Sequence, residues 1–121
     1  MAENKAYVTT ADERGSVNIS EEVIAVIAGS AAAEVDGVAA LYPPIPREGG
    51  TIGRRAFAKS ARITIDDRNV IIDVYLTASL GAAINEVGAE VQRAVANAVE
   101  SATGLAVLAV NVHIAGISNK R

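Results

Sequence analysis

Two spacings of apolar residues alternate along the chain, the three-to-four spacing of helices and the every-second spacing of strands. Val23, Ile27 and Ala31 form one helical stripe, with Ile24, Ala28 and Val35 beside it. This predicts an amphipathic helix from Glu21 to Val35. Ser20 stands where an N-cap hydroxyl is needed, and Glu21 and Glu22 place negative charge at the favourable end of the helix dipole. Val23 at the third helical position leaves the capping box incomplete. Asp36-Gly37 ends the helix, since glycine adopts the left-handed conformation past a C-terminus at little cost. Val38–Tyr42 is a short apolar run that reads as a strand, and Pro43-Pro44-Ile45-Pro46 stops regular structure.

Alternation resumes at Ile63 and Ile65, set among Arg62, Thr64 and Asp66. After the turn residues Asp67-Arg68-Asn69, Ile72, Val74, Leu76 and Ala78 share one face against Ile71, Asp73, Tyr75 and Thr77. These two strands are expected to form an antiparallel hairpin. The clearest helix follows Gly81, with Ile84, Val87, Val91, Val95, Ala98, Val99 and Ala102 at helical spacing and a Glu90–Arg93 pair on its surface. Thr103-Gly104 ends it. Leu108, Val110, Val112 and Ile114 then alternate with Val107, Ala109, Asn111 and His113 as a last strand, and Gly116 to Arg121 reads as a tail. A weak internal echo accompanies this order: Glu22-Val23 and Glu86-Val87 each open a helix that passes through Gly37-Val38 or Gly104-Leu105 into an apolar strand.

Two helices with single apolar stripes must bury them, and a sheet with one apolar face offers the surface. The expected fold is therefore α+β, a two-layer sandwich with two helices on one face of a small mixed or antiparallel sheet. The expected order is (β)αβββαβ or αβββαβ. Residues 1–15 read as a polar, flexible leader with a short strand at Ser16–Ile19, residues 16–117 as one domain, and 118–121 as a tail. The sheet face away from the helices would show Arg62, Thr64, Asp66, Ile71, Asp73, Tyr75, Thr77, Val107, Asn111 and His113. Ile71, Tyr75, Val107 and His113 are its candidate self-association contacts.

Composition narrows the chemistry. The chain has 121 residues, half of them hydrophobic but only 3% aromatic, so the core is aliphatic and base stacking is a poor candidate. No cysteine is present, which excludes disulfides, thiolate zinc sites and cysteine nucleophiles. One histidine leaves no multi-imidazole metal site. The net charge of −3 gives no overall footprint for nucleic acid. The first fifteen residues have no apolar core of signal-peptide type. The uncharged run Ser101–Asn119 alternates and contains Asn111, His113 and Gly116, which suits a half-buried strand and not a lipid-facing helix. A soluble protein is expected.

Four features invite functional readings, and each has a plainer one. The long loop Pro43–Ser60 carries Arg47, Arg54, Arg55 and Lys59 against the single acid Glu48. Within it, Gly49-Gly50-Thr51-Ile52-Gly53-Arg54-Arg55 brings glycine and arginine together as phosphate sites do, and Gly50–Gly53 matches the GXXG of KH-type RNA binders. It lacks the Gly-Lys-Ser/Thr ending of a Walker loop and the helical flanks of a KH loop, so a basic surface loop is simpler. His113 with Asp73 or Asp66 would be half of an acid–base pair, but no nucleophile is placed with it and a surface histidine is simpler. Asp66-Asp67 lacks the alternating oxygen ligands of a calcium loop and suits a turn. Glu86 and Glu90 lie one turn apart without a histidine and read as a solvated face.

Taken in order, Gly15-Ser16-Val17-Asn18-Ile19-Ser20-Glu21-Glu22-Val23-Ile24, Glu34-Val35-Asp36-Gly37-Val38, Val70 to Gly81, Ile84-Asn85-Glu86-Val87, Thr103-Gly104-Leu105 and Val110-Asn111-Val112-His113-Ile114-Ala115-Gly116-Ile117 resemble the alkaline-shock-protein family of bacteria. That family is also called the cell-envelope stress response family. The resemblance spans about residues 15 to 117 and departs from the family at the basic loop and at Leu80, where an aromatic is common. It implies a non-enzymatic cytoplasmic protein that self-associates into a homo-oligomer. It further implies recruitment to the inner face of the membrane by a membrane-anchored partner. No catalytic residue, metal or cofactor comes with it, and no small-molecule substrate. The alternative reading is a nucleic-acid or anionic-surface binder acting through Arg47, Arg54, Arg55, Lys59 and Arg62, with a small enzyme built on His113 third.

Overall fold

A computed structural model describes residues 7–42, 60–66 and 69–118. The order of elements is β1 (Tyr7–Asp12), β2 (Gly15–Ser20), α1 (Glu21–Ala33), β3 (Val38–Leu41), β4 (Ala61–Asp66), β5 (Asn69–Ser79), α2 (Ile84–Thr103) and β6 (Ala106–Ser118). Two helices cover one face of a four-stranded sheet, the expected α+β two-layer arrangement. Residues 7–12 differ from the expected irregular leader. They form β1, paired antiparallel with β2 as a separate hairpin from Tyr7↔Ser20 to Asp12↔Gly15. Its tight turn is held by Arg14 N–H donating to Asp12 Oδ1 at 2.8 Å.

β5 organises the sheet. Along one edge its first half pairs antiparallel with β4, Arg62 opposite Asp73 and Thr64 opposite Ile71, and its second half pairs antiparallel with β3. Along the other edge β6 runs parallel to it from Asn69↔Ala106 to Ser79↔Ser118. The parallel pair requires a crossover, and α2 supplies it. Strict alternation on β5 buries Val70, Ile72, Val74, Leu76 and Ala78 completely beneath the helices. α1 packs on β3, β4 and β5, while α2 packs on β6 and against α1.

Both helix ends follow their sequence signals. Ser20 Oγ accepts from Val23 N–H at 3.2 Å as the N-cap of α1. Gly104 ends α2 in the left-handed conformation, its N–H bonded to the Glu100 carbonyl at 2.8 Å. α2 buries Val87, Val91, Val95 and Val99 in a single line. Its predicted Glu90–Arg93 ion pair forms.

The predicted apolar face of α1 is turned slightly, with Ile24 and Ala28 fully buried and Ile27, Ala31 and Val35 partly buried against the core. Its buried line is Ile24, Ala25, Ala28, Gly29 and Ala32, and Val23 is 39% exposed. The small residues are the cause: a face of Ala and Gly can pack closely against its neighbours, and Ile24 is the one large side chain of α1 that is fully buried.

β6 corrects the sequence reading in a second place. Its register slips between Val107 and Ala109, leaving Leu108 as an extra, bulged residue, and slips again between Ile114 and Gly116. A bulge reverses the alternation of everything before it. Val107, expected on the open face, therefore packs against the core, and Leu108 is 58% exposed.

Candidate interaction surface on the open sheet face

The helices leave the second face of the sheet to β5, β6 and β4. Because β5 and β6 are parallel and in register, residues that share a rung also share a face. Asp73 lies between Arg62 on β4 and Asn111 on β6, and Tyr75 lies beside His113. Asp73 Oδ1 accepts from His113 Nε2 at 3.0 Å and from Asn111 Nδ2 at 3.2 Å. The Tyr75 and His113 rings stack with centroids 4.5 Å apart and planes 12° from parallel. The result is a continuous line of side chains across adjacent strands.

Electrostatics fix its protonation pattern. The His113 hydrogen bond holds the Asp73 carboxyl below its ordinary value. Partial burial works against this, while the Asn111 bond and the charges of His113 and Arg62 add to the lowering. An ionised Asp73 only accepts, so the proton on His113 sits on Nε2, whether the ring is neutral or charged.

The sequence-predicted residues fare differently. Ile71, Tyr75 and His113 do share this face, and Asp73, not the distant Asp66, is the carboxylate that meets His113. Val107 does not share it. Arg62 is exposed on β4 beside Asp73, whereas Arg47, Arg54, Arg55 and Lys59 lie outside the described residues. The chain leaves for that basic segment and returns from it at one point. Tyr42 N–H donates to the Tyr75 carbonyl, and Tyr75 N–H donates to the Ser60 carbonyl, both at 2.9 Å. Asn111 was missed as a partner of Asp73, since only the parallel β5–β6 register brings them together.

Chemically, the face holds and presents groups; it does not enclose them. His113 keeps 45% of its side-chain exposure and Asp73 22%. The grooves between the helices (Glu34, Asp36, Asn97, Ser101) and between α2 and β6 (Ile84, Gly88, Gln92, Ile114) are lined by neither residue. Thr77, the next residue after Tyr75 on the same face of β5, donates its hydroxyl to the Ala40 carbonyl at 3.4 Å. Among the described residues no three His, Asp or Glu side chains converge as metal ligands, and no helix is long and apolar enough to cross a membrane.

With this fold and face described, comparison with known proteins places the chain in a class: envelope-related bacterial proteins. Residues 9–119 match the model of the alkaline shock protein 23 family, described by a cell envelope-related function, and the chain belongs to that family. It is similar to two Bacillus subtilis (strain 168) proteins that carry the description uncharacterized. YqhY is 37% identical over 106 residues, covering 85% of this chain and 77% of the relative. YloU is 31% identical over 106 residues, covering 85% of this chain and 88% of the relative. A Streptococcus pyogenes protein is 28% identical over 109 residues, covering 89% and 83%. No solved structure matches. Neither the family description nor these relatives' names carries an enzymatic activity.

Proposed function

We propose that this chain is a non-enzymatic structural component of the bacterial cell-envelope stress response. Its copies associate with one another in the cytoplasm and are held at the inner face of the membrane by a membrane-anchored partner. The observation that supports this most is the sheet with one face left open, where Asp73, Tyr75, Asn111 and His113 are pre-ordered by their own contacts and line neither of the two grooves beside the helices. Pre-ordered side chains lose little freedom on binding, which favours a contact surface. Size-exclusion chromatography with light scattering over a wide concentration range tests association, and a strict monomer throughout contradicts it. Pull-down from membrane and soluble fractions tests the anchor, and recovery of no membrane protein contradicts that part.

A second reading has one observation in its favour. The basic segment bearing Arg47, Arg54, Arg55 and Lys59 enters and leaves the sheet at Tyr75, and Arg62 stands two residues beyond its return. This supports an anionic-surface or nucleic-acid binder. Charge contacts make such binding fall steeply with salt. Absence of binding to RNA and to anionic vesicles at low salt removes this reading.

A further inference from the structure

The outer edge of β6 is unpaired among the described residues. In a parallel strand the N–H and C=O of one residue point the same way, and successive residues alternate. Gln92 Nε2 donates to the Val110 carbonyl at 3.0 Å, which fixes the phase. Val110, Val112 and Ile114 therefore turn their backbone groups outward. One end of this edge is guarded, where Glu100 Oε2 accepts from Val107 N–H at 3.1 Å, and a register slip interrupts the strand on each side. Val112 and Ile114 lie in the regular stretch between. No charged residue and no proline occurs from Ser101 to Ser118, although natural edges usually carry one or the other against strand pairing.

We propose that a second copy of this chain pairs at this edge, β6 to β6 and antiparallel about a two-fold axis, with Val112 opposite the same residue of the second copy. The proposal rests on the self-association put forward above and names its surface. Each outward residue then donates to and accepts from its counterpart, Val110 meeting Ile114 once Gln92 gives way. Charge favours this location: copies of net charge −3 repel, and this seam is neutral. A loose peptide would have to be ordered to gain so short a strand, whereas a folded copy arrives ordered and brings a second α2.

Shape agrees. Paired strands lie about 4.8 Å apart, but packed helices need about 8–10 Å between axes. A groove of about 320 Å³ between α2 and β6, lined by Ile84, Asn85, Gly88, Ala89, Val112 and Ile114, leaves room along the edge. Space is open where a Cβ on Gly88 would stand, so two α2 helices approach closely there. On the open face, Asn111 of each copy comes opposite His113 of the other.

The chain has no cysteine, so Val112→Cys reports only on its own position. The proposed pair has Cα atoms about 5.5 Å apart, within disulfide range. Mild oxidation of the full chain is expected to give a covalent dimer from Val112→Cys and none from Thr64→Cys on β4. Val112→Pro removes an outward donor without touching the β5 ladder, and is expected to raise the dimer dissociation constant at least tenfold. If the wild type stays monomeric up to near-millimolar concentration, self-association fails and the seam with it. If the wild type associates but Val112→Cys dimers are no more abundant than Thr64→Cys dimers, the seam is wrong and self-association stands. Association unweakened by Val112→Pro overturns the seam in the same way. Circular dichroism confirms each fold, and where Val112→Pro does not fold, the cysteine pair decides.

Discussion

Gly37 and Gly81 form a natural controlled experiment. Their φ angles are +96° and +92°, so an added Cβ strains both backbones alike. Left-handed backbone costs an L-residue about 1–2 kcal/mol. At Gly81 a Cβ meets open space, but at Gly37 it would stand 2.5 Å from Val87 Cγ2. Val87 is buried on α2, and a β-branched side chain in a helix has essentially one rotamer, so it has nowhere to turn. Overpacking of this kind adds about 1–3 kcal/mol. Gly81→Ala should thus lose about 1–2 kcal/mol, and Gly37→Ala about 2–5 kcal/mol. The chain has no tryptophan, so urea unfolding followed by far-UV circular dichroism is the suitable assay. With a slope of about 2 kcal/mol/M, the Gly37→Ala midpoint falls by about 1 M or more. Val87→Ala alone should cost about 1.5–3 kcal/mol in lost methyl burial and residual cavity. Combined with Gly37→Ala it also removes the clash, so the double variant should lose less than the sum by about 1–3 kcal/mol. Equal losses for the two glycine variants, or strict additivity with Val87→Ala, would refute the packing of the β3 entry turn on α2.

Other expectations follow from single contacts. Ser20→Ala removes the only side-chain cap of α1 seen among the described residues, and should cost about 1 kcal/mol by the same urea assay. Val107→Asp places a charge against the core and should cost at least about 2 kcal/mol. Leu108→Asp, on the bulge, should stay within about 0.5 kcal/mol, and the reverse ranking would show the bulge misplaced. Asp73 has a carboxyl lowered from 3.8, so its contribution to stability is complete above that value and lost as pH falls through the lower folded-state value. Asp73→Asn should therefore flatten the loss of stability with acid below about pH 4, measured by thermal melts across pH.

The parts of the fold that were legible share strong contrast. β5 alternates without exception and α2 carries its valines in one line, so period and phase were both readable. Ser20 and Gly104 marked their helix ends because capping is local chemistry. Where contrast was weak, phase was lost. α1 is Ala- and Gly-rich on its buried side, and hydrophobicity alone added the exposed Val23 to the stripe while passing over Ala25, Gly29 and Ala32. β1 pairs with a largely exposed strand and has no apolar face to announce it; its register is supported by contacts such as Thr9 Oγ1 donating to Asn18 Oδ1 at 2.6 Å. The bulge at Leu108 comes from the β5–β6 pairing, which no local pattern encodes. The same pairing assembles the candidate surface: alternation places Asp73, Tyr75, Asn111 and His113 on one face, but the Asp73–Asn111 contact needed the parallel register.

β5 is the hub of its sheet: β3, β4 and β6 each bond to it and, among the described residues, not to one another. Each outer strand is thus able to peel away without opening the others, while β5 is released only when all of them have gone. Amide exchange should be slowest along β5 and graded outward. β3, four residues long with a slip in its register, should be first to fray. A pull exerted through the segment that follows Tyr42 would then be absorbed by the weakest spoke, leaving the rim presented by β6 undisturbed.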